Sequence, residues 1–220
     1  MLAIELINDY VVPIKPSDKA LTTLSLMEEY KVKHLPIVSE EQFLGLISEE
    51  DIFQFHQYEE AVGAHPIAKP QIYVTENKHI YDVLTAFQLD KLTLLPVIDE
   101  KNRYRGSILA SSLVSTLAEI TGVTNPGGII VLEMNILNYS LSQIAQIIES
   151  NNAKIINLYV RTFHDSTQME ITLKINTINI DAILQTFNRY NYQVYAAFST
   201  NRNDEKLREN YDSLMNYLKF

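Results

Sequence analysis

One stretch of this chain occurs twice. HLPIVSEEQFLGLIS at 34–48 returns as LLPVIDEKNRYRGSIL at 94–109. Pro36 is matched by Pro96 at an offset of 60 residues, and Gly45 by Gly106 at 61, so the second copy has one more residue in its turn. The match continues upstream. Ser17 reads as a helix N-cap, followed by Ala20, Leu24 and Met27 at helical spacing, and Asn77 as its counterpart, followed by Ile80, Val83, Leu84 and Phe87. Each copy therefore reads as extended segment, helix, short strand, turn, short strand, helix. The strands, at 35–38, 44–48, 95–98 and 106–109, are short and apolar, which predicts burial against helices. Neither copy can bury both sides of so small a sheet, so the two are expected to pack face to face. We take 1–62 as the first unit of the repeat and 63–120 as the second.

The pattern changes after TGVTNPGG (121–128), whose Gly, Pro, Asn and Thr make a linker. Within 129–200, 129–134 is an apolar strand. Ser140 and Gln143 have capping-box spacing, ahead of the stripe Leu141, Ile144, Ala145 and Ile148. Ile156, Leu158 and Val160 mark a second strand over 155–162. Met169, Ile171, Leu173 and Ile175 alternate with Glu170, Thr172, Lys174 and Asn176, a clear period of two. Asn179 reads as the cap of a helix carrying Ile180, Ile183, Leu184 and Phe187, and Val194, Ala196 and Phe198 form a last strand. The order βαββαβ is the ferredoxin-like arrangement. Over 201–220, Leu207, Tyr211, Leu214 and Leu218 share one face of an amphipathic helix, expected to pack on its own domain or a partner subunit.

Composition narrows the function. With 27 acidic and 18 basic side chains the formal charge is −9, which repels phosphate backbones and argues against nucleic acid. The absence of cysteine removes disulfides and thiolate chemistry. No basic segment precedes the first apolar residues, and no run approaches the roughly 18 apolar residues of a membrane span. We therefore expect a cytoplasmic protein with no membrane role.

The h-L-P-h-h…G-h-h-S-x-x-D pattern of 34–51 resembles a cystathionine-β-synthase (CBS) domain, and the tandem over roughly 1–120 resembles a CBS-domain pair. Behind it, the βαββαβ region is similar to an ACT domain. This order is similar to that of acetoin-utilisation-type CBS–ACT bacterial proteins. The implied fold class is α/β (α+β): a CBS pair, a ferredoxin-like ACT-like domain and a C-terminal helix. The resemblance implies an adenosine-containing ligand (AMP, ADP, ATP or S-adenosylmethionine) between the two copies. Ser48 and Asp51 would meet the ribose, and His34 with Lys33 a phosphate. Val12, Pro13 and Ile14 would flank the adenine.

An ionised Asp accepts two hydroxyl bonds and a Ser hydroxyl donates one, so the chemistry is suitable. The same Ser48-x-x-Asp51 string also reads as an ordinary helix start, and His34 as an exposed surface histidine. In the second copy Leu109 and Ser112 replace the ribose pair, and Thr93 and Leu94 replace Lys33 and His34. At most one site of the usual kind is implied. Glu49 and Glu50 beside it would disfavour polyphosphates. The turn 136–143 lacks the glycine that amino-acid-binding ACT domains present, so side-by-side dimerisation is the expected use of this domain.

The five histidines, His34, His56, His65, His79 and His164, form no i, i+4 metal pair. The chain carries no phosphate loop, nucleophile elbow or dinucleotide glycine motif. The expectation is a non-catalytic regulatory module without a catalytic cofactor or metal. It would be a homodimer that couples an adenosine ligand to its own geometry or to a regulated protein. The alternative is a degenerate scaffold for dimerisation and protein–protein interaction that binds no small molecule.

Overall fold

A computed structural model describes residues 1–55, 57–66, 72–164 and 166–199. His56 and the helix expected over 201–220 lie outside the described residues. The fold is α+β, and the chain divides into two compact units, Met1–Leu117 and Ala118–Phe220.

The first unit contains both copies of the repeat. Helix α1 (Ala20–Tyr30) leads into the hairpin β1 (His34–Ser39) and β2 (Gln42–Ser48), then α2 (Glu49–Phe53). Sixty residues on, β3 (Val74–Thr75), α3 (Ile80–Asp90), β4 (Leu94–Ile98), β5 (Tyr104–Leu109) and α4 (Ala110–Ile120) repeat the plan. The correspondence extends to backbone detail. Lys31 and Lys91 end the two 11-residue helices in the left-handed conformation, at φ 55° and 50°. Ile14 pairs in parallel with Ile37, as Val74 does with Val97. Each hairpin has an irregularity at the same place, after Ile37 and after Val97.

The turns differ as their lengths require. Glu40 and Glu41 both have positive φ, as a two-residue hairpin turn of the primed type needs. In the longer turn, Asp99 gathers the chain by accepting from the N–H groups of Lys101 (2.8 Å) and Arg103 (2.9 Å) and from Arg103 Nε (2.7 Å). Those bonds, the Arg103 amide first, hold its carboxyl below the usual carboxylate range.

The helix starts differ from expectation. The N-caps are Lys19 and His79, two residues after Ser17 and Asn77 in each copy. Isolated bridges (Lys19 to Ala61, His79 to Leu2) keep the residue before each helix extended. Short-range bonds engage the preceding turns instead: Lys15 N–H donates to Asp18, and Thr75 Oγ1 to Asn77.

These bridges belong to two sets of backbone contacts, one joining the chain's first residues to the second copy and one joining 61–63 to the segment before α1. The amides of Ala3 and Ile4 donate to the carbonyls of Lys78 and Glu76, while those of Val62 and Gly63 donate to Asp18 and Pro16. One core results. Leu35, Ile37 and Leu46 of the first copy and Leu94, Leu95 and Ile108 of the second are all buried in it. Burial of each such side chain stabilises the fold by about 1.5–3 kcal/mol.

The second unit is βαββαβ: β6 (Ile129–Asn135), α5 (Leu141–Ser150), β7 (Ile155–Thr162), β8 (Gln168–Ile175), α6 (Asp181–Arg189) and β9 (Gln193–Phe198). The strand order is β7-β8-β6-β9, with every pair antiparallel. Met169, Ile171, Leu173 and Ile175 face the helices and are buried, while the residues between them are more exposed. Ile144, Ile147, Ile148, Ile183 and Phe187 cover that face. Ser140 caps α5 by accepting from Gln143 N–H at 3.4 Å. α6 begins at Asp181, with Ile180 rather than Asn179 at the N-cap. Asn179 still accepts from Asp181 N–H at 3.4 Å.

Candidate ligand-binding cleft

β1 and β2 pair so that His34 lies opposite Ser48. This brings the start of one strand beside the end of the other, where α2 begins. Ser48 caps that helix. Its hydroxyl accepts from Asp51 N–H (3.1 Å) and donates to Asp51 Oδ2 (2.6 Å), which also takes Ser48 N–H (2.8 Å). The helix-start reading of Ser48-x-x-Asp51 therefore describes the geometry, and Ser48 is buried. No described residue donates to Asp51 Oδ1. Glu49 N–H donates to the carbonyl of Lys33 at 2.9 Å, tying α2 to the residue before β1.

His34 is not the exposed histidine expected as the plainer reading; it is 7% exposed. Its Nδ1 lies 3.1 Å from Thr93 Oγ1 and accepts from Thr93 N–H at 3.4 Å. Thr93 Oγ1 in turn accepts Lys33 N–H at 2.8 Å. Equivalent positions of the two copies, 33 and 93, thus meet beside the cleft. A nitrogen that accepts from an amide carries no proton, so the Thr93 hydroxyl donates to Nδ1 and accepts from Lys33.

Lys33, His34, Ser48, Glu49 and Glu50 of the first copy line a cleft of ≈ 330 Å³ together with Asp90 and Lys91 of the second. Asp51 does not line it. The sequence reading missed Asp90 and Lys91. The available signal was the offset of 60, which makes Lys91 the counterpart of Lys31 at a helix end.

The expected adenine-flanking segment lies elsewhere. Val12 and Pro13 line a separate cleft of ≈ 690 Å³ with Lys15, Pro16, Ser17, Val38, Ser39, Glu40 and Glu41. Ile14 is 1% exposed and packs in the core. The two clefts share no lining residue. They lie toward opposite ends of β1, with His34 and Val38 about 13 Å apart at strand spacing. The seven expected site residues therefore divide into Lys33, His34 and Ser48 in one cleft, Val12 and Pro13 in the other, Asp51 in the α2 cap and Ile14 in the core.

The second copy's counterpart positions are engaged by the chain itself. Asn8 N–H donates to the carbonyl of Ser107 at 2.9 Å, and Asn8 Nδ2 to Ser112 Oγ at 3.2 Å. Ile7 lies against Gly106, where an added Cβ would come within 2.4 Å of Ile7 Cγ2. Leu94 and Leu109 pair across the hairpin and are buried. Among the described residues, no group of three or more His, Asp or Glu side chains could hold a metal ion. No described helix is long and apolar enough to cross a membrane.

Comparison with known proteins bears on the first copy. Residues 3–57 match the CBS domain. The CBS match contains Val12, Pro13, Ile14, Lys33, His34, Ser48 and Asp51, and it ends before Asp90 and Lys91. Solved structures similar to the chain include a CBS domain pair/ACT domain protein from Thermotoga maritima. It is 21% identical, with 54% of this chain and 98% of that chain covered and a TM-score of 0.49. CBSX2 in complex with AMP is 20% identical, with coverage of 54% and 97% and a TM-score of 0.47. A protein assigned to acetoin utilization from Vibrio cholerae is 17% identical, with coverage of 56% and 95% and a TM-score of 0.48.

Proposed function

We propose that the first unit is a non-catalytic regulatory module that takes an adenosine-containing small molecule in the cleft of Lys33, His34 and Ser48. The observation that carries this reading is the double origin of the cleft. Its floor belongs to the CBS-matching copy, and Asp90 and Lys91 of the other copy form its wall. A ligand there touches both copies and stabilises whichever packing it fits better, which couples occupancy to the geometry of a homodimer or a regulated protein. Ser48 in the cleft and the Asp51 carboxylate bonded to it supply hydroxyl-recognising chemistry, and Lys33 and Lys91 supply positive charge.

The test is calorimetric titration of AMP, ADP, ATP and S-adenosylmethionine into the full chain and into two variants. Asp51→Asn keeps an oxygen for the α2 cap, and Lys91→Met alters only the wall from the second copy. The reading expects at least one compound to bind and both variants to weaken it. Wild type that binds none of the four overturns it, as does binding that neither variant alters.

A second reading is favoured by one observation: the Ser48 hydroxyl and one Asp51 oxygen bond to each other. On that reading the module is a scaffold for dimerisation and partner binding in which these groups serve only the fold. It expects a stable oligomer by light scattering with no response to any adenosine compound.

A further inference from the structure

The cleft carries charges of both signs. Lys33 and Lys91 bring two ammonium groups, and Glu49, Glu50 and Asp90 bring three carboxylates. The backbone adds to the negative side. Helix α3 ends at the cleft with Asp90 and its cap Lys91, and the C-terminus of a helix presents unpaired carbonyls and partial negative charge.

On the other side of the cleft α2 begins, where free amides would ordinarily attract an anion. Here most of them are taken. Glu49 N–H is held by the carbonyl of Lys33, Asp51 N–H by Ser48 Oγ and Ser48 N–H by the Asp51 carboxylate. Two of the first three amides of α2, those of Glu49 and Asp51, are thus engaged by the chain, and the first turn of α2 carries Glu49, Glu50 and Asp51 as acidic side chains.

Resting on the adenosine reading above, we infer that this cleft selects an adenosine compound whose 5′ substituent is cationic or zwitterionic and discriminates against nucleoside polyphosphates. A dense polyanion would meet two lysines but also three carboxylates and a helix C-terminus. A zwitterionic substituent satisfies both sets: its ammonium or sulfonium faces Glu49, Glu50 or Asp90, and its carboxylate faces Lys33 or Lys91. Like charges a few ångströms apart at a partly solvated surface change affinity by about tenfold or more, and salt screens the effect.

The test titrates S-adenosylmethionine, adenosine, AMP and ATP into the full chain, wild type and the double variant Glu49→Gln/Glu50→Gln, at low and high salt. Circular dichroism confirms that the variant is folded. In wild type at low salt, S-adenosylmethionine is expected to bind at least about tenfold more tightly than ATP, with adenosine between them. The double variant is expected to weaken S-adenosylmethionine, strengthen ATP and so narrow the gap, as is high salt. ATP binding as tightly as S-adenosylmethionine to wild type overturns the charge selection while the adenosine reading stands. So does a gap that the double variant leaves unchanged. Failure of all four compounds to bind overturns the adenosine reading, and this inference falls with it.

Discussion

Replacing Thr93 with valine tests whether the two copies are joined where the cleft forms. Thr93 Oγ1 accepts Lys33 N–H at 2.8 Å and lies 3.1 Å from His34 Nδ1. Valine keeps the β-branch and the volume but removes both bonds. The backbone bond from Thr93 N–H to His34 Nδ1 survives. Each lost bond costs about 1 kcal/mol net, and Lys33 is an exposed residue, so the expected loss is about 2 kcal/mol. For a unit of the size of Met1–Leu117, about 4 °C accompanies each kcal/mol, which predicts a fall of about 8 °C in its melting temperature. Urea unfolding at constant m value measures the free energy. Hydrogen exchange at the Lys33 amide reports the lost bond directly, and Thr93→Ser should recover most of both. A loss below about 0.5 kcal/mol, with the Lys33 amide still protected, would refute the view that Thr93 joins the copies.

Two other outcomes follow from the cores and the titrating groups. Phe187 is fully buried, with its ring 5.5 Å from that of Tyr192, so Phe187→Ala should cost the second unit about 3–5 kcal/mol by denaturant unfolding. A loss under about 1 kcal/mol would mean that the site collapses around the smaller residue. Burial pushes the Tyr104 hydroxyl up from 10.0 to about 12, against the opposing bond to Ser107. Below pH 10 the folded and unfolded states both hold the proton, and stability is unaffected. As pH rises from 10 toward 12 the unfolded chain ionises first, so stability should fall by up to about 3 kcal/mol. Tyr104→Phe should remove that slope, and an unchanged alkaline midpoint in the variant would count against it.

Much of the fold is legible in the residues because its signals are local. The alternation of Met169, Ile171, Leu173 and Ile175 needs only the two-residue period of a strand to reveal its buried face. Pro36 with Pro96, and Gly45 with Gly106, show that one unit occurs twice. Helix starts were less legible. Ser17 and Asn77 have the chemistry of caps, but bridges from residues 61 and 2 decide where each helix begins. Such pairings join distant segments, and no local pattern records them.

For the candidate site the division is sharper. The sequence alone determined that Ser48 and Asp51 stand together at a helix start, and that the second copy has neither of these residues at the equivalent positions. Both follow from spacing along the chain. Only the tertiary structure decided that Val12 and Pro13 line a different cleft, that His34 is buried against Thr93, and that Asp90 and Lys91 complete the wall. It also decided that Ile7 and Asn8 engage the second copy's counterpart positions. The physical reason is that the cleft is made where two copies pack against each other. Which side chains meet there depends on a shared core and on hydrogen bonds between residues about sixty or more positions apart.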